Sequence, residues 1–168
     1  MEFCVDNLYL TAIITVMQLD WSGIDFAIGA ESDPEKIIDF WKKNNITITK
    51  TDTPQEVQSA ANIYPKLFIV AFQKPSSSAP DGEKTIIGTV WGNYDGRRGY
   101  IVHLAVENRY RHLGLGRRLM DLVEKEFRKM GTYKIHLFVE SHNESVGEFY
   151  SRLGFEKRTD LTIYSKTL

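Results

Sequence analysis

A single cysteine, Cys4, occurs in the 168 residues, so the chain cannot close a disulfide bond within itself. Chains without disulfides are typical of reducing compartments, and the sequence therefore predicts a cytoplasmic protein. The residues next to Cys4 in the sequence would not lower the pKa of its thiol, so we do not expect it to act as a nucleophile.

The chain also has little net charge of either sign. Its formal net charge of -1 gives no general attraction to nucleic acid or to a membrane surface. Hydrophobic residues make up 42% and charged residues 26%, which is ordinary for a globular protein. At this length we expect one well-buried domain, and the sequence shows no internal repeat.

The apolar segment near the N-terminus, Leu8–Met17, is too short to cross a bilayer. Acidic residues precede it where a signal peptide carries basic ones. We therefore separate residues 1–20, as an N-terminal extension, from a single domain over residues 21–168. The extension has three open interpretations: an added strand, a dimer contact, or a stretch upstream of a true start at Met17.

What the chain does contain is a glycine-spaced loop between an apolar run and an amphipathic helix. The run His103–Val106 is followed by the loop Arg111–Gly116, and the helix begins directly after it. The first N–H groups of a helix lack partners and its dipole is positive there, so this arrangement predicts a phosphate site. Four nearby arginines strengthen the preference for an anion: Arg109, Arg111, Arg117 and Arg118.

Two common phosphate-binding patterns are missing from this loop. No Lys-Ser or Lys-Thr pair follows the glycines, which excludes a P-loop. Leu119 stands where the dinucleotide fingerprint has its third glycine. The pattern that remains, Arg-x-x-Gly-x-Gly, resembles the pyrophosphate loop of the GNAT family of N-acetyltransferases.

The resemblance extends from about Ile24 to the C-terminus. Three further segments carry it at matching spacing: the strand Ile101–Val106, the strand Lys134–Glu140, and the segment Asn143–Phe155, which bears a tyrosine and ends in Leu-Gly-Phe. The resemblance implies the α/β fold of the acyl-CoA N-acyltransferases, a mixed sheet with the element order β-α-α-β-β-β-α-β-α-β.

Hydrophobic periodicity, capping residues and turn residues predict the same order of elements. The predicted strands are 24–29, 67–72, 85–94, 100–107 and 133–139, followed by one or two closing strands at 155–158 and 161–165. The predicted helices are 33–43, 53–64, 115–130 and 143–153. The segment 74–83, rich in serine and proline, is expected to form a mobile hairpin loop.

The resemblance also implies which residues bind the co-substrate, acetyl-CoA. Close approach of the backbone to pyrophosphate needs Gly114 and Gly116. Backbone N–H groups around them are expected to bind the phosphates, at Arg111, His112, Leu113, Leu115 and Arg117. The pantetheine arm is expected to lie as a pseudo-strand where a bulged strand at Leu104, Ala105 and Val106 parts from its neighbour. Asn143 is expected to cap the last helix and to bind the pantetheine amide.

Two further roles belong to the chemistry of acetyl transfer. By the resemblance, Tyr150 is the general acid, since a phenol is protonated at neutral pH and can protonate a departing thiolate. His103 is the preferred general base because its pKa lies near neutrality, although its orientation depends on the expected bulge. Tyr100 stands where some relatives carry a glutamate base. Glu140, His136 and a water chain remain open alternatives.

The sequence therefore predicts an acetyl-CoA-dependent N-acetyltransferase that acts on a primary amine by direct transfer in a ternary complex. The amine could belong to a protein N-terminus, a lysine or a small molecule. The alternative is a non-catalytic acyl-CoA-binding sensor of the same fold. Nucleic acid is not an expected partner, because the arginines form no extended basic stripe. We expect no metal and no membrane attachment, and a homodimer is possible.

Overall fold

The computed structural model of the chain describes residues 19–75 and 82–167. Its strands are β1 Ile24–Ile28, β2 Phe68–Gln73, β3 Thr85–Tyr94, β4 Gly99–Val106 and β5 Ile135–Leu137. Its α-helices are α1 Pro34–Lys43, α2 Pro54–Ala61, α3 Leu115–Lys129 and α4 Gly147–Arg152.

The five strands form one mixed sheet in the order β1-β2-β3-β4-β5. The first four are antiparallel neighbours, with the α1–α2 pair between β1 and β2 and a tight turn between β3 and β4. The last strand, β5, runs parallel to β4 because α3 carries the chain back across the sheet. This arrangement confirms the predicted α/β class.

Local sequence signals account for where α1 and α2 begin. The Asp33 side chain accepts a hydrogen bond from the Glu35 amide, and the Thr53 hydroxyl accepts one from the Glu56 amide. Both helices have proline at the first position, where its missing N–H costs nothing. The second helix ends at Ala61, earlier than predicted.

Two apolar layers hold the helices on opposite faces of the sheet. On one face α3 buries a stripe of residues at helical spacing: Leu115, Leu119, Met120, Val123 and Phe127. On the other face α1 and α2 pack over β2 to β4, with Trp41 fully buried at the centre. The candidate functional site lies at the end of β4, where these two layers meet.

Expectations for the C-terminal part of the chain were wrong in two respects. The strand predicted over 133–139 is reduced to Ile135–Leu137. The predicted strands 155–158 and 161–165 do not form among the described residues. Gly154 turns the chain with a φ of 86°, and Arg158 binds Asp160 through two contacts that bend the segment instead of extending it.

Two predictions concern residues that lie largely outside the described ranges. The interpretations of the extension 1–20 depend on residues 1–18, and the hairpin loop 74–83 includes residues 76–81. Within the described ranges, no helix is long and apolar enough to cross a membrane.

Gly99 is expected to be needed for packing between β4 and α3. A Cβ atom at this position would lie 2.7 Å from Cε1 of Phe127, whose side chain is fully buried. Gly99→Ala should therefore lower the free energy of unfolding by about 1–3 kcal/mol through overpacking. Urea denaturation measures this loss.

The matched control for Gly99→Ala is Gly147→Ala. At Gly147 the added Cβ would meet nothing within 4 Å among the described residues. This control should leave the unfolding midpoint nearly unchanged. Equal midpoints for the two variants would contradict the close contact at Gly99.

Candidate functional site

A β-bulge interrupts β4 near the middle of the sheet. The register between β3 and β4 shifts by one residue after Thr89, which leaves His103 and Leu104 opposite one residue of β3. His103 has a φ of 50°, an uncommon value for a residue with a side chain. The bulge sends His103 to the α1 face, while Leu104 packs into the α3 layer.

The bulge coincides with the end of pairing between β4 and β5. The two parallel strands pair at three positions, the last of which joins Ile101 to Leu137. In the described part of the chain their ladder does not continue, although β4 runs on to Val106. The predicted bulge and the predicted parting of these strands are both confirmed. Backbone from Leu104 to Val106 therefore borders a cleft instead of a strand.

The glycine loop closes one end of this cleft. Gly114 has a φ of 92° and stands at the N-cap of α3, and His112 also has a positive φ, 61°. Positive φ in a short turn produces the concave backbone that binds anions. Arg111 holds the loop to the end of β4, because its Nε donates to the Val106 carbonyl at 3.0 Å.

The four arginines of this region divide into two pairs. Arg109 forms an ion pair with Glu107, and Arg111 is tied to the backbone as described. The exposed side chains of Arg117 and Arg118 instead line an open groove beside Gly114. The other residues that line this groove are Trp21, Phe26 and Asp121. Two of the four arginines are thus directed to the loop.

Three elements converge on Gly116 in the first turn of α3. A Cβ atom built there would lie 3.4 Å from the Phe149 ring of α4 and 3.7 Å from Val106 at the end of β4. Leu115 is fully buried, so only its backbone can serve a ligand. Leu113 is half-buried next to these residues. The loop, the cleft and α4 therefore form one continuous region.

Tyr150 lies in this region on α4. Its ring packs edge-on against Phe149 and Phe155, with centroids 5.1 and 6.0 Å away. Burial raises the pKa of the Tyr150 hydroxyl above its ordinary value. The group therefore remains protonated at neutral pH, as a proton donor must.

The prediction that Asn143 caps α4 was wrong. The helix begins at Gly147 with Val146 at the N-cap, because the chain first makes a 3-10 turn over Ser141–Val146. Asn143 lies in that turn, and its backbone N–H donates to the Glu140 carbonyl at 2.8 Å. Its side chain is exposed. Its role toward a ligand stays a prediction.

His103 occupies a tightly defined pocket under α1. Its ring packs against Trp41 in a tilted arrangement, with centroids 4.2 Å apart. Its carbonyl accepts a bond from the Thr89 hydroxyl at 2.9 Å, and that hydroxyl accepts one from Trp41 Nε1. Burial lowers the pKa of His103, and the nearby negative charge of Asp52 opposes that shift. The imidazole is therefore neutral at pH 7 and able to accept a proton.

The other two candidate bases, His136 and Glu140, lie in different surroundings. His136 and Tyr100 stack on each other where β4 and β5 still pair, three residues before His103. The Tyr100 hydroxyl donates to Asp95 in the β3–β4 turn. Glu140 follows β5 and accepts a bond from Thr47 at 2.9 Å. Of these candidates, His103 is the one at the bulge.

Sequence reasoning missed the loop that joins α1 to α2, residues 44–53. Thr47 reaches Glu140 and Asp52 reaches His103, so this loop spans the cleft on the α1 face. In the sequence, Asp52 looks only like part of the start of a helix. No sequence pattern connects it to His103. Among the described residues, no group of three or more His, Cys, Asp or Glu side chains is placed to hold a metal.

Three features of this chain define an acetyltransferase fold: the parting of β4 from β5, the glycine loop at the start of α3, and the helices α1 and α2 packed over the sheet. Solved structures of acetyltransferases share this fold. The chain belongs to the GNAT family: the model described as the acetyltransferase (GNAT) family matches residues 37–155, more than half of the chain. The protein is an N-acetyltransferase.

Individual relatives agree with this assignment. An acetyltransferase of Pectobacterium atrosepticum is 30% identical over 140 residues, which cover 83% of this chain and 93% of the relative. A GNAT-family acetyltransferase of Staphylococcus aureus is similar in structure, with a TM-score of 0.62 at 24% identity over 83% of this chain and 89% of the other. A chain of the NatC complex, solved with Gag peptide and CoA, gives a TM-score of 0.63 at 23% identity, over 81% and 86%.

Acidification is expected to destabilise the fold through His103. Its folded pKa lies below the ordinary value of 6.5, so the unfolded chain binds a proton first as the pH falls. The free energy of unfolding should decrease from pH 6.5 downward, until the pH reaches the folded pKa. Urea denaturation at about pH 7.5 and pH 5 measures this dependence.

His103→Gln should remove this component of the pH dependence. His112→Gln, at an exposed position of the glycine loop, is the matched control and should keep it. An identical pH dependence in the wild type and in His103→Gln would contradict the buried neutral imidazole.

Proposed function

We propose that the protein transfers an acetyl group from acetyl-CoA to a primary amine by direct transfer in a ternary complex. The observation that carries the proposal is the cleft between β4 and β5, closed at one end by the glycine loop at the start of α3. Such a cleft suits a ligand with an anionic end and a long amide-bearing arm. Coenzyme A has this chemistry.

The anionic end belongs at the glycine loop. The first N–H groups of α3 lack helical partners, and the helix dipole is positive there. Gly114 needs its positive φ, and a side chain at Gly116 would project toward Phe149 and Val106, where the elements meet. The exposed guanidinium groups of Arg117 and Arg118 add positive charge. These residues fit a pyrophosphate.

In the proposal, the amide-bearing arm of coenzyme A lies along the open edge of β4. Beyond the bulge, Ala105 pairs with Thr89 of β3 on one side, while the other side of the strand borders the cleft. Backbone groups of Leu104 and Val106 would pair with the amides of the arm, as a neighbouring strand would pair. A main-chain N–H near Leu104 would polarise the thioester carbonyl. Asn143, which follows β5, would bind an amide of the arm.

The chain supplies both proton-transfer groups that the reaction needs. The acceptor amine is an ammonium in water and must lose a proton before it attacks. His103, held neutral by burial, would accept that proton directly or through water. Tyr150, held protonated by burial, would donate a proton to the departing thiolate. The acceptor would approach on the α1 face, where His103 and the loop 44–53 lie.

A thiol-release assay with acetyl-CoA tests the proposal. Candidate acceptors are N-terminal peptides, lysine peptides, polyamines, amino sugars and aminoglycosides. We expect thiol release that depends on one class of amine, with the acetylated amine identified by mass spectrometry. Binding of acetyl-CoA without transfer to any amine would instead favour a non-catalytic acyl-CoA sensor of the same fold.

Three statements about the whole protein belong to the proposal as well. We place an N-terminal extension at residues 1–20 and a single domain at 21–168. We expect a reducing cytoplasm as the location, since the one cysteine provides no internal disulfide. The homodimer stays an open possibility, with the apolar segment of the extension as the first contact to examine.

Gly116→Val is expected to abolish acetyl-CoA binding while preserving the fold. The valine side chain would occupy the point where the loop, β4 and α4 meet, whereas its Cβ would be only in ordinary contact with Phe149. Isothermal titration calorimetry measures the affinity. Gly147→Val, at a position where a Cβ meets nothing within 4 Å among the described residues, is the control. Unchanged affinity in Gly116→Val would exclude the loop as the phosphate site.

Tyr150→Phe is expected to reduce turnover without weakening acetyl-CoA binding, because only the proton donor is removed. A positioned general acid contributes roughly 10²–10⁴-fold. Single-turnover rates and calorimetry separate the two effects. Tyr164→Phe removes a hydroxyl from a side chain that is 92% exposed and should behave as wild type. Near-wild-type chemistry in Tyr150→Phe would make that residue structural.

A further inference from the structure

A carboxylate and an imidazole from distant parts of the chain meet behind the cleft. Asp52 Oδ1 of the α1–α2 loop lies 3.6 Å from His103 Nε2. The Asp52 side chain is only 11% exposed and that of His103 18%. Carboxylates are seldom buried to this extent unless they have a partner.

The loop itself fixes the orientation of the Asp52 carboxylate. Its Oδ2 accepts hydrogen bonds from both the backbone N–H and the hydroxyl of Thr49, each at 2.7 Å. Oδ1 is the oxygen directed toward His103. The loop is anchored a second time across the cleft, where Thr47 donates to Glu140. Asp52 therefore faces the imidazole with a defined geometry.

Contacts on the other side of His103 fix its position as well. Trp41 packs against its ring, and the Thr89 hydroxyl donates a hydrogen bond to its carbonyl. A left-handed backbone at a residue with a side chain persists only when its surroundings hold it, and such positions cluster at functional sites. The Nδ1 atom is buried without a hydrogen-bond partner among the described residues. Nε2 is therefore the nitrogen available for proton exchange.

Asp52 is the counter-ion of the His103 imidazole, because the other described groups packed against the ring carry no charge. From α1 it meets Trp41, and from β3 it meets Trp91 and the hydroxyl-bearing Thr89, none of which carries a charge. Among the described residues, Asp52 is the charged group that acts on the His103 imidazole. Burial lowers the pKa of the imidazole and the carboxylate raises it. Protonation at this position is therefore supported by Asp52.

We propose that Asp52 is a positioning residue for the acetyl transfer, whose carboxylate stabilises the imidazolium that forms when Nε2 of His103 accepts a proton from the acceptor amine. The proton moves from the ammonium nitrogen, directly or through one water, to the Nε2 lone pair. The amine lone pair that this step releases attacks the carbonyl carbon of the thioester, the C–S bond breaks, and the departing thiolate takes a proton from Tyr150. The nitrogen loses its second proton to solvent as the amide forms. The imidazolium returns its proton to solvent, and Tyr150 regains one from solvent. The inference rests on the proposed function, in which His103 is the base.

Asp52→Asn tests this role because it removes the charge and retains the shape. An asparagine oxygen can still accept from Thr49, so the loop keeps its anchor. We expect kcat to fall at least about tenfold, a part of the roughly 10²–10⁴-fold that a positioned base supplies. We expect the His103 pKa, followed by NMR titration of its imidazole, and the acidic limb of the rate profile to move to lower pH, because the carboxylate that raises this pKa is gone. Acetyl-CoA affinity should not change.

Two controls accompany the variant in the full-length chain. Asp52→Glu retains the carboxylate and should restore part of the lost activity and of the His103 pKa. Asp39→Asn removes a carboxylate from the exposed side of α1, where it binds Lys42, and should match the wild type in every measurement. Urea denaturation of each variant shows whether the fold is kept.

The outcomes separate this inference from the proposed function. An unchanged His103 pKa in Asp52→Asn, or a loss of rate that is equal at every pH and accompanied by a lower unfolding midpoint, would overturn the positioning role alone. Full activity of His103→Gln would overturn the base and its positioning residue together, while acetyl transfer itself would stand. Absence of transfer by the wild-type chain would overturn the proposed function, and the NMR titration does not depend on that result.

Discussion

The separation of β4 from β5 is the constraint on which the rest of the site depends. The two strands pair at three positions and part where His103 takes a left-handed backbone. That one bulge turns the imidazole toward α1 and accompanies the open edge of β4 from Leu104 to Val106. The cleft and the orientation of the candidate base therefore share one local distortion, whereas the anion cradle owes its shape to the positive φ of His112 and Gly114.

The distortion is maintained by contacts on both faces of the sheet. A strained left-handed residue costs about 1–3 kcal/mol, so it needs compensation elsewhere. On the α1 face, Trp41 packs against His103 and donates a hydrogen bond to the Thr89 hydroxyl, which in turn donates one to the His103 carbonyl. On the α3 face, Leu104 enters the layer formed by the buried stripe of α3. The two cores thus hold the bulge between them.

The features that sequence predicts well here are those with local causes. The cap at Thr53 and the stripe of α3 follow from residues close together in the chain. The contact between Asp52 and His103 joins residues that only tertiary packing brings together, so no local pattern reveals it. The predicted closing strands did not form because a strand also needs a paired edge, which apolar alternation alone does not supply.

The central claim is that the open edge of β4 binds the arm of coenzyme A as an additional strand. Amide hydrogen exchange followed by NMR, with and without coenzyme A, tests it at single residues. The account predicts new protection at Leu104 or Val106, together with the amides around Gly116, and little change at the far strand β1. Protection confined to the groove around Trp21, with β4 amides exchanging as before, would contradict it.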